Sequence, residues 1–383
     1  MPVLMFHSIG CENENWYRHW LSVSLDHFEK FCEYLVKNNF ETTFLDKWYE
    51  NKSKPNSNSK KQVVITFDDG YLDNWVYAYP ILKKYDLKGT IFINPEFIDT
   101  SEKIRPNLED VWDGKIEKEK LTPLGFLNWD ELKEMEASGV MDIQSHSMSH
   151  NFYFYSNKIK DIYTGQPHYD WFPWIEKPER KPYYNLENQE HFVPKGSPIF
   201  DFGRALELRR YFPDEKLVKY ASDLYSNDES MKDKALLINK LNKKLSDYPG
   251  SYESDEDMEK RYRYELFDSK RILEEKLNKK VDFLCWPGGG YNELSVKLSI
   301  EAGYKASTFS TKNKELIKKD QGDYKNIKRF AMTSFISTST KNHYIKRSGF
   351  LVNLFKYHLG NSVSKNIYRT NKLGLMILDK IVK

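Results

Sequence analysis

Cysteine is scarce in this chain: Cys11, Cys32 and Cys285 are its only three among 383 residues. They lack metal-type spacing, and an odd, sparse set argues for a reducing compartment and against a disulfide framework. Long apolar runs are missing too. No stretch approaches the roughly 18 apolar residues of a membrane-spanning helix. The start, Met1-Pro2-Val3-Leu4-Met5-Phe6-His7, has neither the basic n-region nor the apolar core of a secretory leader. The expected location is therefore cytoplasmic. Charge of one sign is also lacking: 59 Lys and Arg against 56 Asp and Glu leave a net +3. That balance gives no reason to expect a nucleic-acid partner. Internal repeats and coiled-coil heptads are absent. No Gly-Lys-Ser/Thr follows the Gly-rich run at 288–290, and no dinucleotide fingerprint is present.

Aromatic residues, by contrast, are plentiful at 15%. They suit a packed core and also surfaces that stack on sugar rings. Apolar periodicity alternates between two kinds along much of the chain. Pro2 to Ile9 reads as a short buried strand. Ser24 to Asn38 reads as a helix capped by Ser24, with Leu25, Phe28, Phe31, Cys32, Leu35 and Val36 on its apolar face. Val63 to Phe67 reads as a buried strand, Trp75 to Tyr85 as a helix bent at Pro80, and Gly89 to Asn94 as a strand. Trp129 to Ser138 reads as a helix capped by Asn128, and Val140 to Gln144 as a strand. The rhythm resumes with a helix near 257–278, a strand at 281–285, a helix at 293–302 and a strand at 304–309. Such alternation predicts an α/β fold with a mainly parallel sheet or barrel. In such folds the carboxyl ends of the strands carry the site.

Three motifs fall at such ends. Val63-Val64-Ile65-Thr66-Phe67 runs straight into Asp68-Asp69-Gly70. Carboxylates are costly to bury unpaired, so either a turn or a metal site explains the pair. Ser145-His146-Ser147-Met148-Ser149-His150 spaces two imidazoles four apart, able to share one cation. One carboxylate and two imidazoles leave coordination positions for water and substrate, as catalytic zinc sites do. Finally, Leu284-Cys285-Trp286-Pro287-Gly288-Gly289-Gly290-Tyr291 offers backbone N–H groups that can approach a ligand closely and stabilise an oxyanion.

In this order the motifs resemble the polysaccharide deacetylase family, the NodB-homology group or carbohydrate esterase family 4. The resemblance covers residues 1–150 and about 257–333. It implies a distorted (β/α) barrel and metal-dependent removal of N- or O-acetyl groups from sugars. By matching motif it makes Asp68 the general base and Asp69, His146 and His150 the ligands of a divalent metal, with zinc the first choice. The backbone at Gly288 would complete the oxyanion site, and Trp286, Tyr291 and Trp129 are the candidate substrate contacts. The family often places in this third motif an arginine that orients the base; here Cys285 stands in its place, and Gly288 replaces the usual tyrosine. No late Leu-x-His follows residue 310 to supply an acid. The opening Met5-Phe6-His7-Ser8-Ile9 is similar to the Tyr-His opening of the poly-N-acetylglucosamine deacetylase branch, whose barrel is circularly permuted, and so implies His7 as the acid.

Between 151 and 256 the rhythm breaks. This segment reads as a rim insertion, aromatic and proline-rich up to residue 200 (Tyr183 and Tyr184 included), with helices near 214–226 and 231–247. It is either a lid with its own small core or a lid that also touches substrate. Residues 51–61 read as a polar loop. The tail, 334–383, is basic, with Lys346, Arg347, Lys356, Lys365, Arg369, Lys372, Lys380 and Lys383 against a lone Asp379. It reads either as a helix packed on the barrel or as an amphipathic segment on the inner face of an anionic membrane. The expected substrate is an acetylated sugar or lipid-linked glycan of surface-polysaccharide assembly. The alternatives are an amino-sugar deformylase and a non-catalytic glycan- or protein-binding module.

Overall fold

The computed structural model describes residues 1–11, 16, 19–53, 61–183, 190–309 and 326–381. Strands Val3–Phe6, Lys61–Phe67, Gly89–Ile93, Met141–Ser145, Phe283–Leu284 and Ala306–Thr308 pair in that order, every pair parallel. One short run of chain then nearly closes the sheet into a barrel. Asn326–Ile327 pairs with Ala306–Thr308, and Arg329–Ala331, two residues on, pairs with Val3–Phe6. Phe40–Thr42 adds alongside the first half of Lys61–Phe67. The expected α/β barrel is the observed one.

Parallel strands covered on both faces are largely apolar, and the two-residue period sorts their side chains. Val3, Val64, Phe92, Phe283, Cys285, Ala306 and Ile327 fill the barrel interior, with Leu45 and Trp48 packed against them. Leu4, Phe6, Ile65, Phe67, Ile91, Ile93 and Ile143 face outward onto the helices. The same alternation carries inward from Val64 through Thr66 to Asp68. A carboxylate thus arrives at the interior mouth of the barrel by register alone.

The helices begin where the caps predict. Ser24 accepts from His27 N–H at 3.3 Å at the start of Leu25–Lys37. Asn128 and Glu131 form a reciprocal capping box at the start of Trp129–Ala137. Val36, counted with the apolar face, is instead 44% exposed. The helix read near 257–278 spans Asp255–Arg263 and Ser269–Leu277, joined by a π-turn at Tyr264–Asp268. Of the polar loop, 51–53 end a helix that starts at Leu45, and 54–60 lie outside the described residues.

The insertion does have its own core. Its helices are Glu215–Asn227 and Lys234–Asn242. They pack with Phe154, Ile162, Trp171 and Phe200, and that cluster continues onto Tyr71, Phe97 and Phe126 from the barrel loops. It also holds an antiparallel pair, Phe152–Ile162 with Pro198–Arg204, that composition did not reveal. Its register shifts between Phe154 and Ile159 and again before Asp161; such bulges erase the two-residue period by which strands are read. Tyr184 lies outside the described residues. In the tail, helix Phe350–His358 buries Phe350, Leu351, Leu354 and Phe355, with Phe355 5.3 Å from both Phe31 and Phe40. A second helix, Ser362–Ile381, follows.

Phe92 is fully buried under the mouth of the barrel, with the Arg329 guanidinium 5.4 Å from its ring. Phe92→Ala should cost about 3–5 kcal/mol, read as a lowered urea midpoint at unchanged slope; a loss below about 1 kcal/mol would mean that the interior repacks freely.

Candidate active site

Asp68 meets Arg329 at the mouth of the barrel. The guanidinium donates to both carboxylate oxygens, Nη1 to Oδ1 at 2.6 Å and Nη2 to Oδ2 at 2.8 Å. It also donates to Thr66 Oγ1 at 3.2 Å and to Cys285 Sγ at 2.9 Å. This fork-to-fork geometry fixes the carboxylate plane. Burial by itself would push the Asp68 carboxyl up, but the charge and hydrogen bonds of Arg329 outweigh it and hold it below its ordinary value. Asp68 is therefore an ionised, oriented carboxylate with little exposure, 3%.

Asp69, the next residue, stands beside two imidazoles. His146 Nε2 lies 3.1 Å and His150 Nε2 3.5 Å from Asp69 Oδ1. One donor atom from each of the three residues lies within 4.8 Å of the others, and all three are buried. These spacings fit a shared cation, since bonds of about 2.0–2.1 Å in a tetrahedron put donors about 3.3 Å apart. The outer atoms are oriented to suit. His146 Nδ1 donates to the Cys285 carbonyl at 2.8 Å, which directs the Nε2 lone pair inward. Tyr71 O–H donates to Asp69 Oδ2 at 2.9 Å, leaving Oδ1 toward the imidazoles.

The backbone takes unusual shapes to do this. Asp69, Ser147 and His150 all have left-handed φ, at 75°, 61° and 51°. Such non-glycine conformations cost about 1 kcal/mol or more each and persist only where the surroundings hold them. Glu265 is one such hold. It comes from the π-turn and accepts from Met148 N–H at 3.1 Å, Ser149 N–H at 3.0 Å and the Ser149 hydroxyl. Asn94 donates to the His146 carbonyl, and Lys181 of the insertion to the Ser149 carbonyl at 2.8 Å.

His7 completes the cluster, its Nε2 3.9 Å from Asp68 Oδ2. Burial lowers its imidazolium pKa by more than Asp68 and Asp69 raise it. Its backbone is anchored from the first motif: Asn74 donates to the His7 carbonyl at 2.9 Å, while Asp73 accepts from Ile9 N–H at 3.0 Å and from the Ser8 hydroxyl. Gly288 has φ 54° in a tight turn whose Gly289 and Gly290 N–H groups bond back to Trp286 and Pro287. A Cβ at Gly288 or Gly290 would collide with Arg204, the last residue of the second insertion strand. The insertion therefore reaches this turn.

The aromatic candidates fare differently. Trp286 and Tyr291 are each 2% exposed, lie with their rings 5.2 Å apart and tilted by 37°, and belong to the hydrophobic core. In this structure both rings are therefore almost wholly buried. Trp129 is half-buried on its helix, with Lys276 Nζ 5.8 Å from its ring. Two residues escaped the sequence reading. Arg329 supplies from the closing strand the charge that orients the Asp68 carboxylate, and Cys285 touches it where the third motif would have placed it. The available signal was the adjacent pair Lys328-Arg329 inside the otherwise apolar run Ile327 to Met332. Glu265, in an evenly charged helix, gave none.

Residues 55–169 match the family model described as polysaccharide deacetylase. YxkH of Bacillus subtilis (strain 168), assigned by its name to the polysaccharide deacetylases, is 33% identical over 150 residues, 39% of this chain and 43% of that protein. The poly-beta-1,6-N-acetyl-D-glucosamine N-deacetylase of Staphylococcus aureus (strain MRSA252) is 29% identical over 141 residues, 36% of this chain and 41% of that protein. The alignments thus span less than half the length of these curated relatives. Among solved structures, a de-N-acetylase from Aggregatibacter actinomycetemcomitans superposes with a TM-score of 0.52 at 18% identity, over 88% of this chain and 97% of that one. That likeness is one of fold. The family match holds Asp68, Asp69, His146 and His150; His7, Cys285 and Arg329 lie outside it.

The purified chain, reconstituted with zinc and dialysed, should hold about one metal per chain by elemental analysis. Asp69→Ala, His146→Ala and His150→Ala should each lose it, while Arg329→Gln retains it. Equal retention in all four would remove the three as ligands.

Proposed function

We propose that this chain, whose segment 55–169 matches the polysaccharide deacetylases, is a metal-dependent hydrolase that removes N-acetyl groups from a glycan built of N-acetylated hexosamine. The observation that carries the reading is the Arg329–Asp68 ion pair beside the Asp69, His146 and His150 set. A bare metal store has no use for a second, oriented carboxylate at its edge. The named activity of the Staphylococcus aureus relative makes a poly-N-acetylglucosamine-like chain the first substrate to try.

Asp69, His146 and His150 would hold the divalent ion, and the carboxylate–imidazole donor set suits zinc. When bound, such an ion polarises the amide carbonyl and acidifies water. The remaining work falls to the chain. Asp68 is ionised at neutral pH and accepts the proton of the attacking water. The backbone N–H at Gly288 would donate to the developing oxyanion. His7, when protonated, gives a proton to the departing amine. Arg329 supplies from another strand the carboxylate-orienting cation that the third motif lacks, which weighs against a non-catalytic module.

The pH dependence follows with a definite sign. Asp68 must be ionised, so turnover is lost as pH falls through its depressed value. Arg329→Gln removes the depressing charge and should move the acid limb of kcat/KM upward. His7 must be protonated, so turnover is lost as pH rises through a value below the ordinary histidine range. His7→Ala should abolish that alkaline limb and slow turnover.

Acetate release from N-acetylglucosamine oligomers by the zinc-loaded protein is the direct test. Asp68→Asn should reduce kcat by about 10²–10⁴ with metal content unchanged. Near-full activity of that variant would refute the base assignment, and no release from any N-acetylated glycan would refute the proposed reaction.

A further inference from the structure

The last helix, Ser362–Ile381, carries a surface that the catalytic reading does not use. It has three stripes at helical spacing. Ser364, Tyr368, Leu375 and Asp379 turn inward: Tyr368 stacks on Tyr357 at 5.0 Å, and Ser364 and Asp379 are buried. On another side Val363, Ile367, Leu373, Ile377, Leu378 and Ile381 are between 41% and 74% exposed. A third side carries Lys365, Arg369, Lys372 and Lys380.

Charge marks this surface: the helix carries four cations, Lys365, Arg369, Lys372 and Lys380, and a single acid. Elsewhere surface lysines and arginines pair repeatedly with carboxylates, as in Lys84–Glu29, Arg263–Glu301 and Lys305–Asp282. Among the described residues, none of the four cations on this helix has a carboxylate within salt-bridge distance. The helix's single acid, Asp379, accepts instead from Thr338, Thr340 and His343 of a hairpin on the barrel. Beside the helix start lies a groove of about 740 Å³ between the two tail helices, walled by Phe350, Val363 and Ile367 and holding Arg347 and Lys356, with no acidic residue in its lining.

We propose that this helix face and groove form a docking surface for an anionic lipid bilayer. The apolar stripe would enter the headgroup boundary and the adjoining cations would meet lipid phosphates. The helix lies on the membrane, since no described helix is long and apolar enough to cross one. A second copy of the chain fits less well, because self-pairing would oppose unneutralised cations. The geometry also has a consequence for substrate access. The Phe335–Tyr344 hairpin that anchors Asp379 follows the carboxyl end of the Arg329–Ala331 strand, the barrel end that bears His7 and Asp68. A docked helix therefore brings that rim toward the bilayer.

The test is co-sedimentation of the intact protein with phosphatidylcholine vesicles, with and without about 30% phosphatidylglycerol, at about 0.1 and 0.5 M salt. Binding should require the anionic lipid and weaken about tenfold or more at the higher salt. Arg369→Glu with Lys372→Glu should weaken it by about tenfold or more, as should Ile377→Asp alone, with far-UV circular dichroism unchanged in each. Equal binding to neutral vesicles, no binding to anionic ones, or variants that bind like the parent would overturn the proposal. So would a concentration-dependent dimer in sizing chromatography that Ile377→Asp dissolves, since the occupant would then be a second copy. None of these readouts depends on deacetylation.

Discussion

The arginine–carboxylate pair at the barrel mouth is the constraint on which the site depends. Asp68 reaches the interior because the two-residue period of its strand leaves no other direction. An unpaired carboxylate there would take up a proton rather than stay charged. Arg329 keeps it ionised, and Arg329 is held by the strand that joins the two ends of the sheet. Barrel closure and the ionisation of Asp68 are therefore one structural event. The fork geometry adds orientation to charge, which a lysine at the same position would not supply.

The neighbouring donor set is built on the opposite logic. Asp69 and His150 occupy left-handed backbone, and a network holds the loop that carries His146 and His150. Glu265 from a late helix, Asn94 from a barrel loop and Lys181 from the insertion all bond to the same short loop. The insertion is thus more than a cover. It braces the loop bearing His146 and His150, and it lays Arg204 against the Gly288 turn. A barrel without it would keep its strands and lose part of the restraint on these positions.

Legibility in the sequence followed the range of the interactions involved. Strands and helices of the barrel, the Ser24 and Asn128 caps, and the carboxylate and histidine motifs were readable, because each depends on residues within a turn or two of one another. The burial of Trp286 and Tyr291 was not legible, because an aromatic beside a glycine turn looks the same whether it faces solvent or core; only packing decides. The insertion's strands were hidden by their bulges. Arg329 was hidden for a different reason: it lies 261 residues from Asp68, and no local pattern couples two positions that far apart.

By itself the sequence determined the fold class and the chemical inventory of the site, since hydrophobic period and residue type are local properties. Only the tertiary structure decided which residues act together. It brought His7, Asp68, Cys285 and Arg329 within reach of one another, turned Asp379 inward, and left an apolar side and a basic side of the last helix facing outward. Those outcomes depend on barrel closure and packing, whose contacts join segments that local sequence cannot relate.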